Sequence, residues 1–475
     1  MQEDRQRHIM ESGKNDGRKK RHAGICCEKA QTGFGAACRR KPREIKKQAA
    51  REAEFLCPYG GFCHKKSQAA DRRERKAPEL AGAGSMNLVR ETRDHLEHRI
   101  LPFWKGLRDD IHGGYVGYVG YDLKRDPMAE RGCILNSRIL YFFSQASMSL
   151  SDPSLLSYAA HAYEALLEMT DSENGGVFWS MHPDGTVLDP TKHTYNQAFA
   201  IYALSNYALA SGKTAPLEKA RELFHLIEHK CRDAGGYLEA FHADFTPESN
   251  EKLSENGVMA ERTMNTLLHV LEAYTELYRV GRDPEVREKL LEILDTWEQH
   301  VYNPEKKRQE VFFDHEWHTL IDLHSFGHDI ETSWLCDRTL EVLEDEELTK
   351  RIWPKLLSLA EQTLEVAYTT HGFANESENG KVNTMRIWWV QAEALLGFLN
   401  AWQKTGEEKY LDAVRHQWTF IKEHMADPRE GSEWFWWTSE HGIPVEKPIV
   451  EPWKCPYHNG RMVFEIMRRL KDEEL

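Results

Sequence analysis

Residues 262–301 read RTMNTLLHVLEAYTELYRVGRDPEVREKLLEILDTWEQHV, and this stretch decides the fold. Apolar side chains recur at i, i+3, i+4 and i+7 on both sides of the break at GRD (281–283), which predicts two amphipathic helices joined by a short link. After the second helix comes an extended segment, VFFDHEW (311–317), before the helical pattern resumes near residue 324. The unit is therefore helix, short link, helix, then a long link with a strand-like element.

The same unit recurs from Met86 onward. The periodicity predicts twelve helices, at about 87–104, 131–150, 153–171, 194–211, 215–232, 260–280, 284–301, 324–344, 347–369, 384–404, 407–426 and 455–471. The link after each odd-numbered helix is long and carries an extended element, as in GGVFWSM (175–181) and EWFWWTS (433–439). Six stacked helix pairs without a polar cap at either end predict a closed ring. The expected fold is an all-α (α/α)₆ barrel with short β-hairpin elements in the long links.

The first 85 residues differ from the rest of the chain. They hold 21 Lys and Arg against 11 Asp and Glu, a net charge of +10, which leaves −24 for residues 86–475. They show no sustained periodicity, and basic blocks such as RKKR (18–21) are typical of solvated chain. We predict a disordered extension over 1–85, with Met86 as a candidate functional start, and a catalytic barrel over 86–475. A nucleic-acid or membrane tether, and a metal site at CPYGGFCH (57–64), stay open as other interpretations of the extension.

Charge, hydropathy and cysteine usage exclude several classes of protein. An acidic body disfavours polyanionic partners such as nucleic acid. No stretch approaches the roughly 18 to 20 consecutive apolar residues of a membrane-spanning helix, and the first 25 residues lack the apolar core of a signal peptide. Nine cysteines, an odd number, are typical of reduced thiols. We expect a cytoplasmic protein, a monomer or weak homodimer, with neither nucleic acid nor membrane as partner.

The even-numbered helices begin with polar residues that a hydrophobic core does not need. The segments that supply them are LNSR (135–138), TYNQ (194–197), RTMNTLLH (262–269), GHDIETSW (327–334), WWVQAE (388–393) and CPYHNGR (455–461). Six separate segments thus direct polar or titratable groups at one place. We expect these helices to form the inner ring of the barrel.

Several of these residues suit proton transfer on a sugar. His328 and Glu331 are three apart on one helix face, where a carboxylate raises the basicity of an imidazole and fixes its tautomer. Arg138 and Glu393 are charged residues in apolar stretches, which is rare without a polar ligand. Taken singly, the His–Glu pair could cap a helix and His269 could be a core histidine. Together with tryptophans, which stack on sugar rings, they indicate a small neutral sugar as substrate and an enediolate intermediate stabilised by the arginine.

Other functions stay open at this stage. The same intermediate serves an aldose–ketose isomerase, and the substrate could be a monosaccharide, as for an epimerase of an N-acylated amino sugar or an isomerase of mannose. A glycoside hydrolase would use Glu331 and Glu393 as its carboxylate pair. A non-catalytic sugar-binding protein, or a metal-dependent isomerase with His269, His328 and His458 as ligands, is also possible. No glycine-rich phosphate loop or dinucleotide fingerprint occurs in a strand–turn–helix context, so we expect no cofactor and no metal.

Five motifs resemble those of the N-acylglucosamine 2-epimerase superfamily, in particular its cellobiose 2-epimerase branch. They are KHTYNQAFAIYALS (192–205), RTMNTLLHVLEAY (262–274), GHDIETSWL (327–335), WWVQAEAL (388–395) and EPWKCPYHNGRM (451–462). The resemblance covers Met86 to about Leu470. It implies an (α/α)₆-barrel isomerase that opens the reducing-end glucose of a β-1,4-linked disaccharide, removes the C2 proton and returns it on the other face. Cellobiose would become glucosylmannose, and lactose would become epilactose.

The resemblance also implies a role for each matching residue. The catalytic residues it implies are His328, His458, His269, Arg138 and Glu331. Of these, His328 and His458 form the acid/base pair, with His458 taking the proton from the glucose epimer. The substrate-binding residues it implies are Tyr195, Asn196, Asn265, Trp334, Trp389, Glu393 and Trp453.

Overall fold

The computed structural model describes residues 87–253 and 256–470. The predicted extension over 1–85, its candidate metal motif and the boundary at Met86 lie outside the described residues. Within the two described ranges, no helix is long and apolar enough to cross a membrane.

The described residues form twelve helices, and the predicted (α/α)₆ barrel is confirmed. The first helix consists of α1 (Leu88–His95), a π-helical turn (Leu96–Ile100) and α2 (Leu101–Lys105). The others are α3 (Cys133–Ser149), α4 (Leu156–Glu168), α5 (Thr194–Ser211), α6 (Ala215–Lys230), α7 (Met264–Gly281), α8 (Pro284–Thr296), α9 (Phe326–Leu343), α10 (Glu346–Val366), α11 (Trp388–Thr405), α12 (Glu408–Phe420) and α13 (Tyr457–Leu470). A 3₁₀ turn (Pro153–Leu155) precedes α4, and π-helical turns extend α8 (Trp297–Val301) and α12 (Ile421–Met425).

The even-numbered helices of the prediction form the inner ring. Helices α3, α5, α7, α9, α11 and α13 each pack against the next, and α13 packs back against α3. Helix α5 is buried all round, from Thr194 to Ala208, whereas the outer helix α6 buries one face, including Leu223 and Ile227. This difference follows from position, because an inner helix has protein on every side and an outer helix borders solvent.

The described parts of the long links contain twenty short strands. They are β1 (Tyr118–Val119), β2 (Arg125–Asp126), β3 (Arg131–Gly132), β4 (Ser180–Met181), β5 (Val187–Asp189), β6 (Lys192–His193), β7 (Arg232–Asp233), β8 (Gly236–Tyr237), β9 (Ala240–Phe241), β10 (Arg262–Thr263), β11 (Tyr302–Asn303), β12 (Arg308–Gln309), β13 (Phe312–Phe313), β14 (Leu323–Ser325), β15 (Tyr368–Thr369), β16 (Gly372–Phe373), β17 (Glu376–Glu378), β18 (Lys381–Asn383), β19 (Arg386–Ile387) and β20 (Trp437–Thr438).

These strands also pair between links, which the sequence did not predict. The strands that immediately precede five inner helices pair antiparallel with a strand of the following link: β3 with β4, β6 with β9, β10 with β13, β14 with β17, and β19 with β20. A bridge between Val119 and Val450 joins the first link to the last. The links are therefore fastened to one another around the mouth of the barrel.

Ion pairs fix three links to the starts of inner helices; two of them are buried, and in the third the aspartate is exposed. In each, a basic residue two positions before the helix contacts an aspartate at the beginning of the preceding link. The pairs are Arg131–Asp109 (2.5 Å), Lys192–Asp171 (2.9 Å) and Arg262–Asp233 (2.6 Å). These three ion pairs thus anchor the links at the mouth of the barrel, where the inner helices begin.

Candidate active site

The inner helices begin at a cavity of about 320 Å³. This volume lies within the range typical of small-molecule sites. All six inner helices contribute to its wall, through Arg138, Tyr195, His269, His328, Trp389 and His458. The prediction that six segments direct their polar residues at one place is therefore met by the geometry.

Nine of the twelve predicted site residues line this cavity: Arg138, Tyr195, Asn265, His269, His328, Glu331, Trp389, Trp453 and His458. The other three, Asn196, Trp334 and Glu393, do not. Asn196 is fully buried and donates a hydrogen bond to the backbone oxygen of Phe178 (2.9 Å), so it holds a link. Trp334 and Glu393 lie behind the wall, where the indole Nε1 donates to the Glu393 carboxylate (2.9 Å). Direct contact with a substrate does not fit these three positions.

His458 is held from behind by a carboxylate. Its Nδ1 lies 2.7 Å from Oε1 of Glu393, which leaves Nε2 as the nitrogen available to the cavity. Its ring lies 5.5 Å from the ring of Trp389. Burial and the positive charges of Arg461 and Arg138 lower the pKa of His458 well below its usual value, so the imidazole is neutral at neutral pH.

His328 meets the same indole. Its ring lies 4.8 Å from Trp389, and its Nδ1 lies 2.7 Å from the hydroxyl oxygen of Ser325. Burial and, to a smaller extent, the neighbouring His269 lower the pKa of His328 to about 3. The cavity thus has two neutral imidazoles, each held through Nδ1 and both adjacent to one tryptophan ring.

A buried arginine joins the carboxylates behind the site. Arg461 donates hydrogen bonds to Glu272 (2.5 Å), Glu331 (2.5 Å) and Glu393 (2.7 Å). Nδ1 of His269 lies 2.9 Å from the Glu272 carboxylate. Burial and Glu393 raise the pKa of Glu331 to about 7 although Arg461 opposes them. For Glu272 the arginine and His269 outweigh burial and hold the pKa at about 2.

Arg138 provides positive charge at the cavity wall. Its guanidinium donates to the Tyr195 hydroxyl (2.8 Å) and the backbone oxygen of Trp453 (3.3 Å), and lies 4.2 Å from the centre of the Phe199 ring. Its side chain has no carboxylate partner among the described residues. An anionic oxygen that forms on a bound molecule could therefore accept a hydrogen bond from it.

Two buried acceptor oxygens of the wall lack a hydrogen-bond partner among the described residues. They are Oε2 of Glu331 and Oδ1 of Asn265. Buried oxygens of this kind are normally satisfied, so both are suited to sugar hydroxyls. Trp389 and Trp453 are half-buried, with indole surface left for stacking on a sugar ring.

The histidines of the site do not form a metal-binding group in the described part of the chain. His269, His328 and His458 do not converge at ligand spacing, although Glu331, Glu393 and His458 do. In that second group, however, the guanidinium of Arg461 already contacts both carboxylates. The positive charge that balances these acids thus comes from a side chain.

The sequence analysis missed several residues of the site. Arg461 ended a quoted motif, but nothing in its spacing distinguished it from an ordinary surface arginine of the last helix. Ser325, Asn375, Glu376 and Trp437 line the cavity from the links. Links have no periodicity from which side-chain direction can be predicted, and only the tryptophan-rich segment at 433–439 gave a signal.

Comparison with known proteins identifies the family. The profile of the N-acylglucosamine 2-epimerase (GlcNAc 2-epimerase) family matches residues 114–460. A cellobiose 2-epimerase of Eubacterium cellulosolvens is 49% identical over 390 residues, covering 78% of this chain and 96% of that protein. One from Dictyoglomus turgidum is 42% identical over 384 residues, covering 81% and 99%. The solved cellobiose 2-epimerase from Bacillus thermoamylovorans superposes with a TM-score of 0.78 at 41% identity, covering 81% of this chain and 100% of that one.

The barrel, the histidine-lined cavity and these relatives define the class of protein: an isomerase that acts as a carbohydrate epimerase. The chain belongs to the N-acylglucosamine 2-epimerase family.

Proposed function

We propose that this protein reversibly epimerises C2 of the reducing-end glucose of β-1,4-linked disaccharides, converting cellobiose to glucosylmannose and lactose to epilactose. The observation that carries the proposal is the pair of neutral imidazoles of His458 and His328, both beside the Trp389 ring. Epimerisation needs one base to take the C2 proton and an acid on the other face of the carbon to return one. The names of the relatives support a cellobiose-type substrate.

The contacts of the cavity support the following reaction. Nε2 of His458 takes the C2 proton of the open-chain aldose, and the C–H electron pair moves to the C1 carbonyl, forming an enediolate. Arg138 donates a hydrogen bond to the resulting oxyanion. The negative charge of the enediolate raises the proton affinity of the otherwise neutral His328, which takes a proton from solvent and transfers it to the opposite face of C2. Trp389 and Trp453 stack on the sugar rings. Glu331 and Asn265 accept hydrogen bonds from sugar hydroxyls at their unpartnered oxygens.

The test is proton exchange at C2. The purified protein is incubated with cellobiose or lactose in D₂O, with chelator present, and the products are followed by NMR. We expect glucosylmannose or epilactose with deuterium at C2 from the wild type, and no exchange from His458→Ala. His318→Ala, which changes an exposed histidine of a link, is the matched control and should exchange normally.

Each other outcome indicates a different function. Deuterium at C1 of a ketose product would indicate an aldose–ketose isomerase. Reaction of glucose, mannose or N-acetylglucosamine alone would indicate a monosaccharide enzyme. Release of free glucose from cellobiose would indicate a hydrolase, and loss of activity with chelator would indicate a metal-dependent isomerase. Absence of exchange with every sugar would contradict the enzymatic mechanism itself.

A further inference from the structure

Arg461 holds together three carboxylates that come from three different inner helices. Its side chain is 2% exposed, and its two terminal nitrogens donate to Glu272 of α7, Glu331 of α9 and Glu393 of α11. The guanidinium also lies over the Trp334 ring, 4.9 Å from its centre. Arg461 itself is on α13, three residues after His458.

We propose that Arg461 is a positioning residue that keeps Glu393 ionised and thereby fixes the tautomer of His458. The inference rests on the proposed function, because it concerns the base of that reaction. An ionised Glu393 can only accept a hydrogen bond, so Nδ1 of His458 must carry the proton and Nε2 keeps its lone pair for the substrate. A protonated Glu393 could instead donate to Nδ1, and Nε2 would then carry the proton and could not act as a base.

Burial raises the pKa of Glu393, and the charge and hydrogen bond of Arg461 are the largest influences that oppose it, so without the arginine this site would favour protonated carboxyls. Glu272, Glu331 and Glu393 are all buried within hydrogen-bond reach of one guanidinium, and burial favours the neutral form of each acid. Like charges at this spacing disfavour ionisation further. The other charged or titratable groups that influence this cluster include Arg138, Tyr141, Tyr195, Tyr202, His269, His328, Tyr457 and His458.

The carboxylates carry the influence of Arg461 to separate parts of the site. Glu393 contacts His458, Glu272 contacts His269, and Glu331 keeps Oε1 on the arginine while its Oε2 stays free at the cavity. One guanidinium therefore orients cavity-lining groups that come from three inner helices. Lysine could not reproduce this, because its point charge cannot form the same set of directed hydrogen bonds.

The proposal is tested with Arg461→Met and Arg461→Lys, each measured for kcat, KM and pH profile with cellobiose. For Arg461→Met we expect kcat to fall at least about 100-fold with KM changed much less, because the base is lost and the stacking residues remain. The acid limb of kcat/KM should move up by at least about one pH unit, since loss of the positive charge raises the pKa of Glu393 and of His458 alike. The kcat and the pH profile of Arg461→Lys should lie between those of the wild type and of Arg461→Met.

Arg469→Met is the matched control. Arg469 lies on the same helix, is also buried, and also faces the Trp334 ring (5.7 Å), but it contacts no carboxylate of the site. We expect Arg469→Met to lower thermal stability without moving the pH profile. Wild-type kcat and pH profile in Arg461→Met would overturn the proposal, and so would an equal shift of the profile in Arg469→Met.

Two further measurements keep the test decisive. If Arg461→Met does not fold, two other variants leave less uncompensated negative charge in the cluster. The double variant Arg461→Met/Glu272→Gln removes one carboxylate as well as the arginine, and Arg461→Lys keeps the positive charge. Wild-type activity in either would overturn the proposal. If the wild type epimerises a different sugar, the proposed substrate is wrong, but the same variants on that sugar still test the role of Arg461.

Discussion

At the residue scale, the two histidines are held through Nδ1 by different groups, a carboxylate for His458 and a hydroxyl for His328. A serine hydroxyl both donates and accepts, so Ser325 can remain bonded to His328 whichever proton the ring carries. A residue that alternately binds and releases a proton benefits from such a partner. An ionised Glu393 can only accept a hydrogen bond, so it keeps the proton on Nδ1 of His458 and suits a ring that starts the proposed reaction as a base.

This difference predicts the effect of Ser325→Ala. The substitution removes the hydrogen bond to His328, worth about 1 to 1.5 kcal/mol, so kcat should fall about tenfold. Ser325 directly precedes α9 but its side chain makes no capping hydrogen bond, so helix stability should not change. Steady-state kinetics and thermal unfolding check both expectations. Ser333→Ala is the control, because the Ser333 hydroxyl of α9 donates to a backbone oxygen and not to a histidine. This variant should keep the wild-type kcat. A tenfold loss there as well would contradict the predicted role of Ser325.

Individual site residues were predictable only in part. Charged residues within apolar helical stretches, such as Arg138 and Glu393, are conspicuous in the sequence, and all three predicted histidines reach the cavity. Whether such a residue touches the cavity or stands behind its wall depends on the rotation of the helix by a fraction of a turn. Asn196 and Trp334 share helices with true lining residues but point elsewhere.

At the scale of elements, the helices were predictable and the connections between links were not. Each helix has its own apolar period of 3.6 residues, which is a local signal. The pairing of β3 with β4, or of β19 with β20, joins two-residue strands about 50 residues apart, and so short a strand carries no periodicity. The link ion pairs were equally hidden, because the aspartate and its partner are separated by about 20 to 30 residues.

One of these ion pairs predicts a clear stability effect. Lys192 and Asp171 are both buried, and the lysine, together with backbone N–H groups, outweighs burial and holds the pKa of Asp171 at about 2. Lys192→Met should therefore lower the free energy of unfolding by about 3 to 5 kcal/mol, because it leaves a buried charge without its partner.

Denaturant unfolding measures this effect, and two variants control it. The double variant Lys192→Met/Asp171→Asn should recover a large part of the loss, since the unpaired charge is gone. Lys124→Met disrupts an ion pair of similar length that is exposed to solvent, and no measurable change is expected. Equal losses for Lys192→Met and Lys124→Met would show that burial of the pair is not what matters.

At the scale of the whole molecule, the ring explains how one cavity can hold so many charged and titratable groups. Each inner helix contributes only one or two polar groups, and the ring brings six helix starts to one cavity. Closure of the ring was predictable because neither terminal helix pair has a polar outer face, as an open solenoid needs. The balance of charge across the ring was not predictable from the sequence, because Arg461 contacts residues up to 189 positions away in the chain.

Acid stability is also a property of the whole molecule, because buried histidines occur outside the site. His193 is fully buried with no hydrogen-bond partner for either ring nitrogen among the described residues, and it packs against Trp179. Burial, followed by the charge of Lys252, lowers its pKa from 6.5 to about 3. The unfolded chain therefore binds a proton at this residue between pH 6.5 and 3, and the folded protein does not.

This difference in proton binding between the unfolded and the folded protein decides how stability changes with pH. His193 leaves stability unaffected above pH 6.5 and lowers it by roughly 1.4 kcal/mol for each pH unit below, down to about pH 3. Buried glutamates with a raised pKa, such as Glu239 at about 7, act in the opposite direction between pH 4.5 and 7, so the wild-type curve alone is not diagnostic. The comparison of wild type with His193→Leu removes their contribution, because both proteins contain them. We expect the leucine variant to gain stability relative to wild type as the pH falls from 6.5 to 4. Denaturant unfolding at each pH measures this difference. A constant difference across the range would show that His193 is already protonated in the folded protein.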